Sequence, residues 1–481
     1  INVIQLHESG YTGNNVRILV LDSGFYLDHE IFDSLNVIAA YDFVNQDTIV
    51  SNEVGDPSNQ HNHGTQVLSV LAGFKPETMI GSAYGAEFLL GKTEDISGEY
   101  HSEEDNYIEG LEWGESLGAD IVSSSIGYIA WYTQDDLDGQ TAAITKAVNI
   151  AIELGMVVVT AVGNSGTSGI VAPADAFDVI SCGAVDENGL IWNNSSQGPT
   201  ADGRIKPEVC ALGMGTFTAQ ANSTTSYGSG TGTSMSTPLV SGVCALLLEA
   251  HPDWNPIQVR NAILNSAHLA GNTDNTYGWG IVNADAALNY GFSDTIPPIV
   301  TITFPQDEDV VFGFVNIFCD VSDNEGIYKI HLWISGDATG ILNYTNSYLL
   351  EWNTKNYKNG DYNIFVRAFD YEGNYTDSYP ITLRIENSFS ISNGYPNPSD
   401  RRVTFTLKNP PESTVEISIV DVKGSSIFEK NVTLLQNENL INLNLKDYPS
   451  GVYMVNFDFK NNIPITRKIC HLKGYENSCT E

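Results

Sequence analysis

Four runs of continuous apolar, largely β-branched residues mark the first 293 positions: VRILVLD (16–22), ADIVSSS (119–125), MVVVTAV (156–162) and DVISCGAV (178–185). Runs without polar alternation read as strands buried on both faces. Between them, EEDNYIEGLEWGESLG (103–118) and DGQTAAITKAVNIAIELG (138–155) carry helical patterning, and each ends at a glycine, a common helix stop. A further stretch from Leu239 to Ala250 is apolar nearly all round and predicts a buried helix. Alternating strand and helix predicts an α/β domain over 1–293: a parallel sheet flanked by helices, with chemistry collected at the carboxyl ends of its strands.

The texture changes at SDTIPP (293–298). Beyond it come short strands at regular spacing, among them IVTITFP, VNIFCDVSD, KIHLWIS, YLLEWNT and YNIFVRAFD, joined by turns such as DNEG, KNGD and YEGN. Alternation over 4–8 residues with regular turns is the signature of a β-sandwich. A second such region opens at NGYPNPSD and ends with SGVYMVNFDF and ITRKICHLK. The expectation is two small all-β sandwich domains, 294–387 and 388–473, and a loose tail over 474–481. Trp333, Tyr344, Tyr348 and Trp352 read as alternating core positions, with a carbohydrate or protein site as the other reading.

Composition narrows the function. The 481 residues hold 22 Lys and Arg against 59 Asp and Glu, a net charge of −37. That balance argues against nucleic acid and anionic membranes as partners. No apolar run approaches the roughly 18–20 residues of a membrane span. The opening INVIQLHESGYTG has neither a basic n-region nor an apolar h-region, so either the protein is cytosolic or a leader has been removed. The six cysteines show no zinc spacing; Cys182, Cys210 and Cys244 read as buried thiols, and Cys470 with Cys479 as a candidate pair.

Four local signals carry candidate chemistry. Asp22 closes a buried strand in VRILVLDSG; His63 opens an apolar stretch in NHGTQVLSVLAG; Asn164 ends another buried strand in TAVGNSG; Ser234 lies in GTSMSTP before the apolar helix. Each has a plain reading alone, as turn former or helix cap. The α/β-hydrolase elbow GxSxG is not met, since Ser236 stands where its second glycine belongs. Taken together, the four supply a nucleophile, its base, a carboxylate to orient the base and a donor for the oxyanion. Their order is Asp22, His63, Asn164, Ser234, with gaps of 41, 101 and 70 residues.

These motifs in this order resemble those of the subtilisin-like serine proteases, the subtilases of peptidase S8 type. SSSIG (123–127) and SSQGPTADGRIKPEVCALG (195–213) are similar to further family stretches. The resemblance implies a serine endopeptidase working through an acyl-enzyme intermediate. Ser234 would attack the scissile carbonyl, His63 would serve as base and then acid, and Asp22 would hold the histidine. The Asn164 side chain and the Ser234 N–H would bind the oxyanion. Ser125, Ile126 and Gly127 would pair with the substrate backbone, and Gly163 and Gly166 would leave room for the side chain before the cut.

Departures from the family pattern are Gln66, in place of a second histidine, and Leu212, in place of a proline. The residues Pro76 and Glu77 put one family calcium site in doubt. The chemistry needs no cofactor. A structural calcium in the acidic stretch of Asp42, Asp47, Glu53 and Asp56 is one reading and a solvated loop the other. Region 294–387 resembles bacterial immunoglobulin-like modules. Region 388–473 resembles the C-terminal sorting domains of type IX secretion, through YPNP (395–398), SGVYMV (450–455) and the Lys-bearing final strand. The resemblances imply a secreted or surface-held bacterial monomer acting on proteins or peptides, with a leader and propeptide upstream of Ile1. Two other readings compete: an inactive adhesin keeping the fold, which has no reason to keep all four residues, and a sedolisin, which requires an acidic residue in place of His63 and of Asn164.

Overall fold

The computed structural model describes residues 1–345, 347–387, 389–410, 414–435, 438–459 and 465–473. The chain forms two compact units; Ile1–Pro297 with Asp370–Asn374 make the first, and the second begins at Pro298. The tail and Cys479, and with it the candidate pairing with Cys470, lie outside the described residues.

Seven strands form the sheet of the first unit: β1 (Arg17–Asp22), β2 (Asn36–Asp42), β3 (Glu87–Lys92), β4 (Ile121–Ser124), β5 (Val157–Ala161), β6 (Ile180–Val185) and β7 (Val209–Leu212). They lie in the order β2-β3-β1-β4-β5-β6-β7, and every pair is parallel. The period-two geometry of a strand sends neighbouring residues to opposite faces. Ile18 and Val20 thus enter one core with helices α1 (Asn62–Ala72) and α4 (Thr233–Ala250). Leu19 and Leu21 enter the other core with α2 (His101–Ser116) and α3 (Ala143–Glu153). Both faces of β1 are covered, which is why Ile18–Leu21 is apolar throughout.

Helix α4 is long and apolar enough to cross a membrane by length and composition, and it is mostly buried inside the domain. Pro238 sits within it, past the first turn where its missing N–H would cost nothing. The Ser234 carbonyl, deprived of the N–H four residues on, accepts instead from Ser125 Oγ at 2.9 Å.

The second unit has two separate apolar cores. The first lies between a three-stranded sheet (Ile299–Phe304, Phe314–Ser322, Leu349–Asn353) and a larger sheet built on Ile327–Ile334 and Gly360–Asp370. Trp352 is fully buried there among Ile317, Ile330 and Ile364 and follows the core reading. Trp333 is buried on the opposite face of its strand from Leu332 and Ile334, stacked on Phe365 and covered by Arg367. The second core lies between Arg402–Lys408 with Glu438–Asn444 and a four-stranded antiparallel sheet that includes Gly451–Asp458 and Ile465–His471. The α/β plus all-β architecture read from the sequence is the one observed.

Candidate active site

Three adjacent strands end at one edge. Strand β1 ends at Asp22, β4 runs beside it with Leu21 opposite Ser124, and β5 runs beside β4 with Thr160 opposite Ser124. The segments that leave these ends carry Ser23–Gly24, Ser125–Gly127 and Gly163–Asn164. A parallel sheet places such groups together without help from loops.

Asp22 is fully buried. Its Oδ1 accepts from the Ser23 N–H at 2.7 Å and lies 2.8 Å from His63 Nδ1. His63 is the second residue of α1, and the helix reaches the strand end because residue 64 is glycine. A Cβ at Gly64 would fall 2.2 Å from the Gly24 carbonyl oxygen and 3.1 Å from Asp22 Oδ1. The His63 side chain is 37 % exposed, so its outer edge reaches solvent. Burial pushes its pKa down, but the Asp22 charge and hydrogen bond outweigh it, and the net shift is upward.

Ser234 is buried at the start of α4. Its Oγ donates to the Ser125 carbonyl at 3.2 Å, and Ser125 Oγ returns a bond to the Ser234 carbonyl. The serine hydroxyl is therefore turned to Ser125, with no hydrogen bond to His63 among the described residues. Helices α1 and α4 pack directly on each other, which brings the two motifs to one edge. Such nucleophile–base bonds are often open before substrate binds.

Asn164 is exposed, and its Oδ1 accepts from both the Thr233 N–H (2.9 Å) and Thr233 Oγ1 (3.0 Å). Those two donors fix which end of the amide is held, leaving Nδ2 free to donate. A Cβ built on Gly232 would lie 3.6 Å from Asn164 Nδ2 and 3.8 Å from the Ser234 nitrogen. The two donors thus border one small volume at a helix N-terminus, a setting that favours negative charge.

The remaining candidates are placed as follows. Ile126 is half-buried against the second core. Gly127 lets its segment lie on Val171 and Ala172, where a Cβ would meet Val171 Cγ2 at 2.5 Å. Gly163 and Gly166 both take positive φ, and a Cβ on them would strike Ser196 Oγ and the Asn193 carbonyl, each at 2.8 Å. Positive φ and close neighbours, a side chain at Gly163 and the backbone at Gly166, therefore account for glycine at these two positions.

The sequence reading did not single out Thr233, which aims Asn164, or Gln60, whose Nε2 donates to the Ser23 carbonyl at 2.8 Å. Thr233 had a signal, since it adjoins Ser234; Gln60 had none. Glu94 was also passed over. Burial pushes its carboxyl up to about 8 against an opposing Tyr128 hydrogen bond, so it adds little negative charge near Asp22 at neutral pH.

The acidic stretch carries a cation of its own. Asp42, Asp47 and Glu53 lie close enough together to share a calcium ion. Yet Lys92 Nζ, with no exposed side-chain surface, sits 2.8 Å from Asp42 Oδ2 and 2.8 Å from Asp56 Oδ2. Asp42 also accepts from the N–H groups of Val44 and Asn45 and from Asn45 Nδ2. Its acceptor positions are filled.

Comparison with known proteins adds three matches to family models: the subtilase family over residues 13–280, a bacterial Ig domain over 298–366 and a secretion system C-terminal sorting domain over 393–471. M-protease of Shouchella clausii (strain KSM-K16) is 34 % identical over 284 residues, 58 % of this chain and 66 % of the relative, so just under two thirds of that relative is spanned. Subtilisin BL of Lederbergia lenta is 33 % identical over 284 residues, 58 % of this chain and 93 % of its own. The crystal structure of MycP1 from the ESX-1 type VII secretion system matches with a TM-score of 0.50 at 21 % identity, covering 61 % of this chain and 85 % of that one; this likeness shows the fold alone.

Proposed function

We propose, for a chain that belongs to the subtilase family and carries a secretion sorting domain, that Asp22, His63 and Ser234 are the catalytic triad of an exported serine endopeptidase. The single observation that carries this reading is the buried Asp22 carboxylate 2.8 Å from His63 Nδ1. A proton held on Nδ1 leaves Nε2 as the free base.

In this reading an extended substrate lies along Ser125–Gly127, and the Ser234 hydroxyl leaves the Ser125 carbonyl for His63 Nε2. Ser234 Oγ attacks the scissile carbonyl as His63 takes its proton, and Asp22 stabilises the imidazolium. Asn164 Nδ2 and the Ser234 N–H bind the tetrahedral oxyanion. His63 then protonates the leaving amine, leaving an acyl-enzyme that water hydrolyses by the same steps. No metal takes part.

Phenylmethylsulfonyl fluoride is expected to label Ser234 and abolish casein hydrolysis. A Ser234→Ala protein as active as its parent would sink the reading.

A further inference from the structure

The two segments that carry Asp22 and His63 also wall a second concavity. Phe25 to Asp28 follow directly from the Asp22–Gly24 turn, and His61 caps the helix that holds His63. Together with Val50 to Asn52 they border a cavity of about 420 Å³. Gly24 is the hinge of this arrangement: a Cβ there would strike the Val50 carbonyl at 2.7 Å and His61 Cβ at 3.3 Å.

The chemistry of the lining is uneven. Leu27, Ala40 and Ile49 give an apolar floor backed by the buried Phe25 and Val50. The Tyr26 ring stands 5.3 Å from the His61 ring. His61 Nδ1 accepts the Asn52 N–H at 3.0 Å, which puts the ring proton on Nε2. Burial lowers the His61 pKa, so the ring is neutral and opposes no cation. Asp28 is exposed, and its carboxylate has no hydrogen bond and no cation partner among the described residues. It is the one formal charge in the lining.

We propose that this cavity is a substrate subsite for a lysine or arginine side chain near the scissile bond. The proposal rests on the protease reading. The aliphatic stem of such a side chain covers the apolar floor while its head stays with Asp28 at the mouth. The Tyr26 face adds cation–π attraction. An acidic side chain would meet Asp28 unscreened. The chain's net charge of −37 draws cationic peptides in the same sense.

The test compares fluorogenic peptides that differ only in Lys against norleucine, scanned through the positions on either side of the cleaved bond. The readout is the ratio of kcat/KM within each enzyme, with active protein counted by phenylmethylsulfonyl fluoride labelling. The parent is expected to favour lysine at one position by roughly fivefold to tenfold, the size of one partly exposed ion pair with its aromatic neighbour. Asp28→Asn is expected to bring that ratio close to one, and Asp28→Lys to turn it below one. A labelled, active parent with no lysine preference overturns the subsite alone, as does a preference that survives in Asp28→Asn. A parent that is neither labelled nor active overturns the protease reading and the subsite with it.

Discussion

Gly64 touches the turn of Asp22 so closely that no side chain fits between them: a Cβ at residue 64 would sit 3.1 Å from Asp22 Oδ1 and 2.2 Å from the backbone oxygen of Gly24. A methyl group there must push the start of α1 away from the end of β1, and that movement separates His63 from Asp22. Gly64→Ala is therefore expected to lower kcat/KM at least a hundredfold, since small misplacements of a catalytic pair have effects of that order. Overpacking is expected to cost about 1–3 kcal/mol of stability. Steady-state kinetics beside calorimetry check both; near-parental activity would show that the dyad tolerates the shift.

The acid limb of the pH profile reports His63. Its pKa is raised, so kcat/KM is expected to fall as pH drops through a value above the ordinary ~6.5 of histidine. Asp22→Asn removes both upward influences and leaves burial. Its residual activity, about 10⁴-fold lower, is expected to show the limb displaced to lower pH. The linkage sign is the reverse for stability. The Asp22–His63 pair stabilises the fold fully below the unfolded histidine pKa, and that contribution is lost as pH rises through the raised folded value.

Asn164 is exposed, so truncating it removes a donor without emptying the core. Asn164→Ala is expected to reduce kcat about 10²- to 10³-fold with little change in KM. A loss confined to KM would remove it from the oxyanion site.

Ser125 and Pro238 form a compensating pair through the Ser234 carbonyl. Ser125→Ala strands that buried carbonyl and is expected to cost about 1–3 kcal/mol. Pro238→Ala restores a helical N–H to the same oxygen. In a double-mutant cycle read by denaturant unfolding, Ser125→Ala is expected to cost less on the Pro238→Ala background. Equal costs on both backgrounds would refute the pairing.

Lys92 serves the acidic loop as its cation. Lys92→Met leaves the buried Asp42 and the half-buried Asp56 without their cation and is expected to cost about 3–5 kcal/mol. Millimolar calcium is expected to raise the Tm of the variant more than that of the parent, by thermal unfolding with and without chelator. An equal calcium effect on both proteins would place any ion elsewhere.

The legible parts of the molecule were those with a strong local period. Strands β1, β4, β5 and β6 are apolar on both faces and stood out, as did the helices between them. Strand β2 did not, because it lies at the sheet edge and its NVIAAYD is only half-buried. Strand β3 ends in Lys92, a residue that reads as surface until its two carboxylates are seen. Pro238 lies past the first turn of α4, a position that Ser125, 113 positions earlier, makes tolerable. The candidate site was legible because its residues sit in short motifs at element ends. The groups that aim them, Thr233 on Asn164 and Gln60 on the Asp22 turn, act across contacts that sequence spacing does not encode.

Cys182, Cys210 and Cys244 lie fully buried, and burial raises all three thiols above their ordinary pKa. A protein exported to oxidising surroundings thus keeps three reduced sulfurs where no oxidant reaches them. Cys182 and Cys244 become reactive only when the sheet and α4 come apart, and Cys210, on the other face of β7 against the Tyr277 carbonyl, only when that segment lifts. The rate at which a thiol reagent modifies them is therefore a clock for opening of the catalytic domain, readable on the unlabelled protein in the medium where it works.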